Sequence, residues 1–373
     1  MTKVLQLRCS SELLGAERVI LELNNSLVDS GFTSIVGVAV EDGEPEPELI
    51  KVLKQGGHQT VVFRISGAFD LGAIARIRKY VLENKIDIVH SHGYREDLYA
   101  IGCKGKAKLI GTNHLWKRTD WKLKVYAKLD AILLRFFDAV IAVSSPVKKD
   151  MLEEGIAERK IRVIQNGIDV TPYVKKYDTS AILSELGVPE TKRVFATLSS
   201  LTGEKGIDIA IRAFAETNPQ ANDYTLLVVG DGPNRADLEA LAKELKVDSK
   251  VVFCGRRKNV PEILACVDIF ILSSYIEGLP MALLEAMASA CAIVATAVGD
   301  VPEVINDKNG KLVQSGEPMQ IATAIAELLS DDTNLQLVSE NARATVTERF
   351  SSKAMVQQYF ASYNVLLGIN SNK

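Results

Sequence analysis

Short runs of aliphatic and β-branched residues alternate with longer amphipathic stretches along the whole chain. The runs at 4–9, 34–40, 60–65, 86–92, 108–114, 139–144 and 161–166 form one series, and those at 193–199, 224–230, 251–255, 268–274, 292–298 and 311–315 form a second. They are continuously apolar rather than alternating, the pattern of strands covered on both faces. Between them, stretches such as 235–246 (RADLEALAKELK) carry apolar residues at helical spacing. Strand and helix in alternation predict parallel sheets flanked by helices, and the two series predict two doubly wound α/β domains. Ser351 to Leu367 reads as a closing helix with Met355, Tyr359, Phe360, Tyr363 and Leu366 on one face.

A length of 373 residues accords with two domains of roughly 150 residues each. Polar, turn-forming residues accumulate over 166–180, so the chain divides into 1–172, 173–350 and a helical segment over 351–373. In open parallel sheets ligands bind beyond the carboxyl ends of the strands, and two such sheets facing each other are expected to share one cleft. The net charge is −3, 44 basic against 47 acidic side chains, which supplies no global attraction for nucleic acid. Five scattered cysteines without a CxxC pair fit a reducing cytoplasm. The opening MTKVLQLRC is too short an apolar stretch for an export signal, and the longest uncharged stretch, 286–299, has 14 residues where a bilayer span needs about 20.

The richest stretch for chemistry is 270–305 (FILSSYIEGLPMALLEAMASACAIVATAVGDVPEVI). A strand ends near Ser274, a loop carries Glu277 and Gly278, Pro280 suits the first turn of a helix, and Glu285 lies within that helix. Two carboxylates thus flank a helix N-terminus. The free N–H groups of Gly278, Leu279, Met281 and Ala282 and the positive end of the helix dipole suit a phosphate or sugar hydroxyls. At 198–214, Lys205 beside Gly206 is placed to reach a phosphate, although no GxxxxGK[ST] loop occurs. The Gly turn in VVGDGPNR has Arg235 where a dinucleotide fingerprint has Gly, which argues for a plain turn rather than NAD binding.

All four histidines, His58, His90, His92 and His114, precede residue 115. His90 and His92 share a strand face and, with His114, form the one set that offers imidazoles to a metal; the other reading is that His90 is core and His114 hydrogen-bonds a ligand hydroxyl. The segment 104–137 is distinctive in composition. It has nine basic residues against Asp120 and Asp130, a net +7 that leaves −10 for the remainder, and it holds both tryptophans, Trp116 and Trp121. Interleaved cations and aromatics suit an anionic membrane surface, and equally a solvated basic helix with inward aromatics.

Taken together, these stretches resemble the retaining GT-B glycosyltransferases of family 4, over almost the whole chain. Glu277 to Glu285 (EGLPMALLE) is similar to that family's E-x7-E element, Gly15-Ala16-Glu17 to its glycine loop, and DIVHSHG, AVIAVS, NGID, VVGDGP and NGKLV follow in its order. The resemblance implies an acceptor-binding N-terminal domain, a nucleotide-sugar-binding C-terminal domain, and a last helix that crosses back to the first. It implies Glu277 on the transferred sugar, Glu285 on the ribose, Lys205 on the diphosphate and His114 on the donor sugar. Gly15 and the stretch Gly278, Leu279, Pro280, Met281 and Ala282 would line the donor. No metal and no cofactor beyond the nucleotide-diphosphate sugar, UDP-sugar before GDP-sugar, is implied.

Three departures bear on the donor site. Ser199-Ser200 stands where the family has Gly-Arg, so Ser200 offers a hydrogen bond without charge, and Arg256 or Arg257 is the candidate replacement. Leu14 replaces the first of two glycines, and Ala290 and Ala292 replace a Gly and a Pro. The expected function is transfer of a sugar to a glycan or polyprenyl-diphosphate-linked acceptor for a surface polysaccharide or glycolipid, on the cytoplasmic side, with 104–137 against an anionic membrane. The alternatives are a glycosyltransferase-like binding subunit, a sugar-nucleotide epimerase and a metal-dependent hydrolase built on His90, His92 and His114.

Overall fold

The computed structural model describes residues 2–9, 15–67, 70–113, 116, 121–188 and 193–369, with the backbone alone for 15, 16, 18 and 122. The chain forms two compact units: residues up to Gly167 together with the segment from Ser352, and Ile168–Ser351. The second unit is therefore an insertion in the first. Its entry and exit lie side by side, with Ile168 N–H donating to Phe350 O at 2.9 Å.

In the first unit the strands are β1 (Lys3–Arg8), β2 (Thr33–Glu41), β3 (Gln59–Ile65), β4 (Ile88–Ser91), β5 (Lys108–Asn113), β6 (Ala139–Ala142) and β7 (Ile161–Val163). Every pairing is parallel, in the order β3-β2-β1-β4-β5-β6-β7. The order reverses between β1 and β4. On one face Val4, Ile88, Ile110 and Ile141 pack against Met355, Tyr359 and Tyr363 of the Ser352–Leu367 helix. The opposite face packs Leu5, Leu7, Val89 and Leu109 with the Leu71–Glu83, Tyr94–Ile101, Trp121–Leu134 and Ser145–Glu153 helices.

The second unit repeats this plan with β8 (Arg193–Leu198), β9 (Tyr224–Val229), β10 (Val251–Gly255), β11 (Ile269–Leu272), β12 (Ala292–Thr296) and β13 (Lys311–Val313), in the order β10-β9-β8-β11-β12-β13. Its reversal falls between β8 and β11. β11 shows why continuous apolar runs were needed: Phe270 and Leu272 join one core with Leu283 and Met287, while Ile269 and Ile271 join the other with Ile211 and Phe214. The Met281–Ala288 helix begins after Pro280, which precedes the helix at φ −74°, ψ 128° instead of occupying its first turn. Its ring fixes φ and its missing N–H costs nothing there. The helix ends with Ala290 at φ 57°, a left-handed position that favours glycine and accounts for the Gly of the family pattern.

Candidate active site

Ligands of doubly wound sheets bind beyond the carboxyl ends of the strands where the order reverses. In the second unit that place lies beyond β8 and β11, and the loops leaving these two strands are laced together. Tyr275 N–H donates to Glu204 O at 2.8 Å and Ser273 Oγ to Lys205 O at 3.1 Å. Gly206 sits at φ 59°, and a Cβ there would stand 2.2 Å from Ser273 O, so only glycine allows the approach.

The result is a paired charge over the reversal. Lys205 Nζ donates to Glu277 Oε1 at 2.9 Å, and Ser274 Oγ donates to the same oxygen at 2.7 Å. The backbone beneath is held in turn, because Ser274 O accepts from Thr296 Oγ1 at 2.7 Å and from Ser315 Oγ at 3.2 Å. Among the described residues nothing donates to Glu277 Oε2, so one carboxylate oxygen is left for a ligand hydroxyl. The Lys205 and Glu277 side chains are 20% and 10% exposed, enclosed yet reachable.

Beside this pair starts the Met281–Ala288 helix, with no side-chain cap and no acid in its first turn. The N–H groups of Gly278, Leu279, Met281 and Ala282 find no acceptor among the described residues. Gly299, at φ 55°, closes the floor: a Cβ there would fall 2.3 Å from Glu277 O, and Asp300 N–H donates to Gly278 O at 2.9 Å. A rigid loop thus presents N–H donors and the positive helix end beside a lysine and a carboxylate, the requirements of a phosphate bonded to a hydroxyl-rich group.

Of the residues singled out in sequence, Lys205, Glu277, Gly278, Leu279, Pro280, Met281 and Ala282 meet here, and Glu285 is half-buried about one turn along the helix. Ser200 is exposed just past β8. Arg256 is exposed past β10, two strands or about 10 Å along the sheet edge from β8. Arg257 is committed elsewhere, donating to Cys254 O at 3.0 Å and to Glu185 at 3.2 Å. Sequence reasoning missed Ser273, Ser274, Thr296 and Ser315. Their signal was small hydroxylic residues at strand ends, a common pattern that becomes informative only once β11, β12 and β13 are known to be neighbours.

In the first unit, Gly15 opens the Gly15–Asp29 helix, and His114 lies outside the described residues. The two remaining strand histidines are fully buried and belong to a polar chain in the core. His90 Nδ1 pairs with Tyr363 OH and Nε2 with Thr112 Oγ1, both at 2.7 Å, while His92 Nε2 pairs with Gln6 at 2.7 Å. With both ring nitrogens so engaged, His90 has no lone pair for a metal, which corrects the reading of His90 as a ligand and leaves the proposed His90, His92 and His114 set without one of its three members. No cluster of three or more metal-ligating side chains occurs among the described residues. No helix among them is long and apolar enough to cross a membrane.

Fold and site together define an α/β protein of two doubly wound units, whose second unit offers at its strand ends a carboxylate, a lysine and N–H donors that suit a phosphorylated, hydroxyl-rich ligand. The family model described as Glycosyl transferases group 1 matches residues 178–345, and that described as Glycosyltransferase Family 4 matches 14–171. The chain is 33% identical over 316 residues, 82% of its length and 81% of the relative's, to the N-acetyl-alpha-D-glucosaminyl L-malate synthase of Bacillus anthracis. It is 26% identical over 366 residues, 94% of its length and 93% of the relative's, to an Escherichia coli UDP-Gal:alpha-D-GlcNAc-diphosphoundecaprenol alpha-1,3-galactosyltransferase. The fold superposes with TM-score 0.84 on Anabaena Alr3699/HepE, crystallised with UDP, at 22% identity over 98% of this chain and 100% of that one. The chain belongs to the group 1, family 4 glycosyltransferases and has their GT-B fold of two Rossmann-like units.

Proposed function

We propose that this glycosyltransferase transfers a hexose from a UDP-sugar to a lipid-linked or glycan acceptor in surface polysaccharide or glycolipid synthesis, with retention at the anomeric carbon and without a metal ion. The second unit holds the donor and the first the acceptor, at the cytoplasmic face of a membrane that the basic segment 104–137 approaches. The observation that carries the reading is Glu277, fixed through Oε1 by Lys205 and Ser274 beside an uncapped helix N-terminus. The UDP bound by the Anabaena protein and the UDP-Gal and diphosphoundecaprenol in the Escherichia coli relative's name support the choice of donor and acceptor.

In this mechanism the bond from the anomeric carbon to the diphosphate oxygen breaks as the acceptor hydroxyl bonds to the same face of that carbon. The hydroxyl proton passes to the departing diphosphate, so no protein carboxylate need act as base. The chain supplies charge stabilisation: Lys205 and the Gly278–Ala282 amides meet the negative charge that grows on the diphosphate, where such donors act most strongly. Glu277 Oε2 holds a hydroxyl of the transferred sugar, Glu285 the ribose, and Gly15, Ser200, Arg256 and His114 complete the donor contacts.

The test is UDP release from a panel of UDP- and GDP-sugars with the Glu277→Ala protein beside the parent. Loss of turnover on the order of 10³-fold with an unchanged melting profile is expected. Undiminished turnover in that variant refutes the assignment of Glu277. Binding of a nucleotide sugar by the parent without any turnover favours the binding-subunit reading instead.

A further inference from the structure

An apolar pocket of about 380 Å³ lies in the first unit against the Tyr94–Ile101 and Trp121–Leu134 helices. Its walls include Leu98, Tyr126, Leu129, Ile132 and Leu133, and Tyr94 stacks on Tyr126 with ring centroids 5.9 Å apart. That volume falls within the range of small-molecule sites. Glu41 ends β2 and Arg95 starts the helix after β4, so these two lining residues set the polar end of the pocket at the carboxyl edge of the sheet.

The pocket is continuous with an unusual surface. The Trp121–Leu134 helix buries Ala127, Asp130, Ala131 and Leu134, yet also carries Trp121, Val125, Leu129 and Ile132 on its outer side, 70%, 46%, 48% and 48% exposed. Their spacing of four, four and three residues keeps them on one stripe. Leu129 and Ile132 belong both to the stripe and to the pocket wall. Exposed Lys124 and Lys128 flank the stripe, and Lys104 lies 5.0 Å above the ring of Phe136 just past the helix.

We propose that this pocket takes the hydrocarbon chain of a phosphorylated lipid, with the phosphate at the Arg95 end. The inference rests on the lipid-linked acceptor reading and adds where the chain of that acceptor is held. A second copy of the protein would bring like-charged Lys124 and Lys128 together, whereas a phosphorylated lipid satisfies both the apolar wall and the cations. Arg95 is one third exposed, donates one N–H to Gly67 O at 3.1 Å, forms an ion pair with Glu41 at 3.8 Å and interacts with Tyr99, which of its five N–H groups still leaves donors to share with a phosphate.

Trp116 supplies a built-in reporter, because its Nε1 donates at 2.7 Å to Asp130, a residue of the pocket wall. The chain has two tryptophans, so Trp121→Phe leaves Trp116 alone. In that background, monomeric 12-bromododecyl phosphate should quench fluorescence saturably. Leu129→Asp and Ile132→Glu, both at half-exposed positions that tolerate a charge, should each raise the half-saturating concentration about tenfold or more with unaltered melting curves. Unsaturable quenching, or the same half-saturation in both variants, overturns the proposal. Equal binding of 12-bromododecanol overturns its phosphate end, and quenching that tracks protein self-association in sedimentation assigns the face to a second copy. Nucleotide-sugar turnover by the parent chain separates the two readings: turnover without lipid binding removes the pocket and spares the transferase, and lipid binding without turnover does the reverse.

Discussion

The two units solve the same topological problem with opposite results. Each sheet reverses its order between its first and fourth strands, and each fourth strand leads into a helix. In the first unit the helix after β4 carries Glu96 and Asp97, both buried, in its first turn, and the chain consumes its own charges. Arg8, at the end of β1, donates to Glu17 at 2.7 Å and to Glu96 at 3.2 Å, and Glu96 also accepts from Cys9 N–H at 2.7 Å. In the second unit the helix after β11 has no acid in its first turn, and Lys205 meets a carboxylate with one oxygen to spare. A reversal point whose charged groups are bonded to one another is a fastening; one whose amides and carboxylate are left over is suited to a ligand.

Removing the cation from each place should separate the two roles most strongly. Arg8→Ala leaves the nearly buried Glu17 and Glu96 without their guanidinium, and a loss of about 3–5 kcal/mol in urea unfolding is expected. Lys205→Ala should do the converse, lowering kcat by about 10²–10³-fold while unfolding midpoints hold. A stable Arg8 variant or an active Lys205 variant would erase the distinction. A smaller effect is expected from Ser274→Ala, which removes one of the two hydrogen bonds on Glu277 Oε1: about a fivefold fall in kcat/KM, the equivalent of one hydrogen bond of roughly 1 kcal/mol.

The smallest effect probes the other acid of the first unit's helix. Burial, reinforced by the neighbouring carboxylate of Asp130, pushes the Asp97 carboxyl well above the usual carboxylate range, so the fold holds a proton that the unfolded chain releases. A raised carboxyl pKa favours the fold at low pH, and the stability is lost as pH rises through the folded value. Melting temperature should therefore decline as pH rises above the ordinary carboxylate range, and Asp97→Asn, which cannot ionise, should flatten that decline. An identical pH profile in both proteins would remove Asp97 as its source.

The comparison also shows what one dimension of sequence could carry. Both parallel sheets were readable, because a strand covered on two faces must be apolar throughout, as in IFIL of β11. Glu277 and Lys205 were readable because each follows a strand and precedes a helix. The Arg8 fastening was not, since its partners come from separate helices and neither helix announces which charge it will face. Asp97 and Asp130 lie 33 residues apart and share no motif. The apolar outer side of the Trp121–Leu134 helix was legible as aromatic and basic composition alone: periodicity tells which residues share a face, but not whether a neighbour covers it.

The Ser352–Leu367 helix fills the core of the first unit with Tyr359 and Tyr363, yet follows the entire second unit in the chain. On a ribosome the inserted half can close as soon as Ser351 emerges. The half that was made first must wait, its face with Val4 and Ile88 uncovered through some 180 further residues of synthesis. Birth order and completion order are thus inverted, and the interval in which the nascent protein most needs a chaperone spans the synthesis of its second unit.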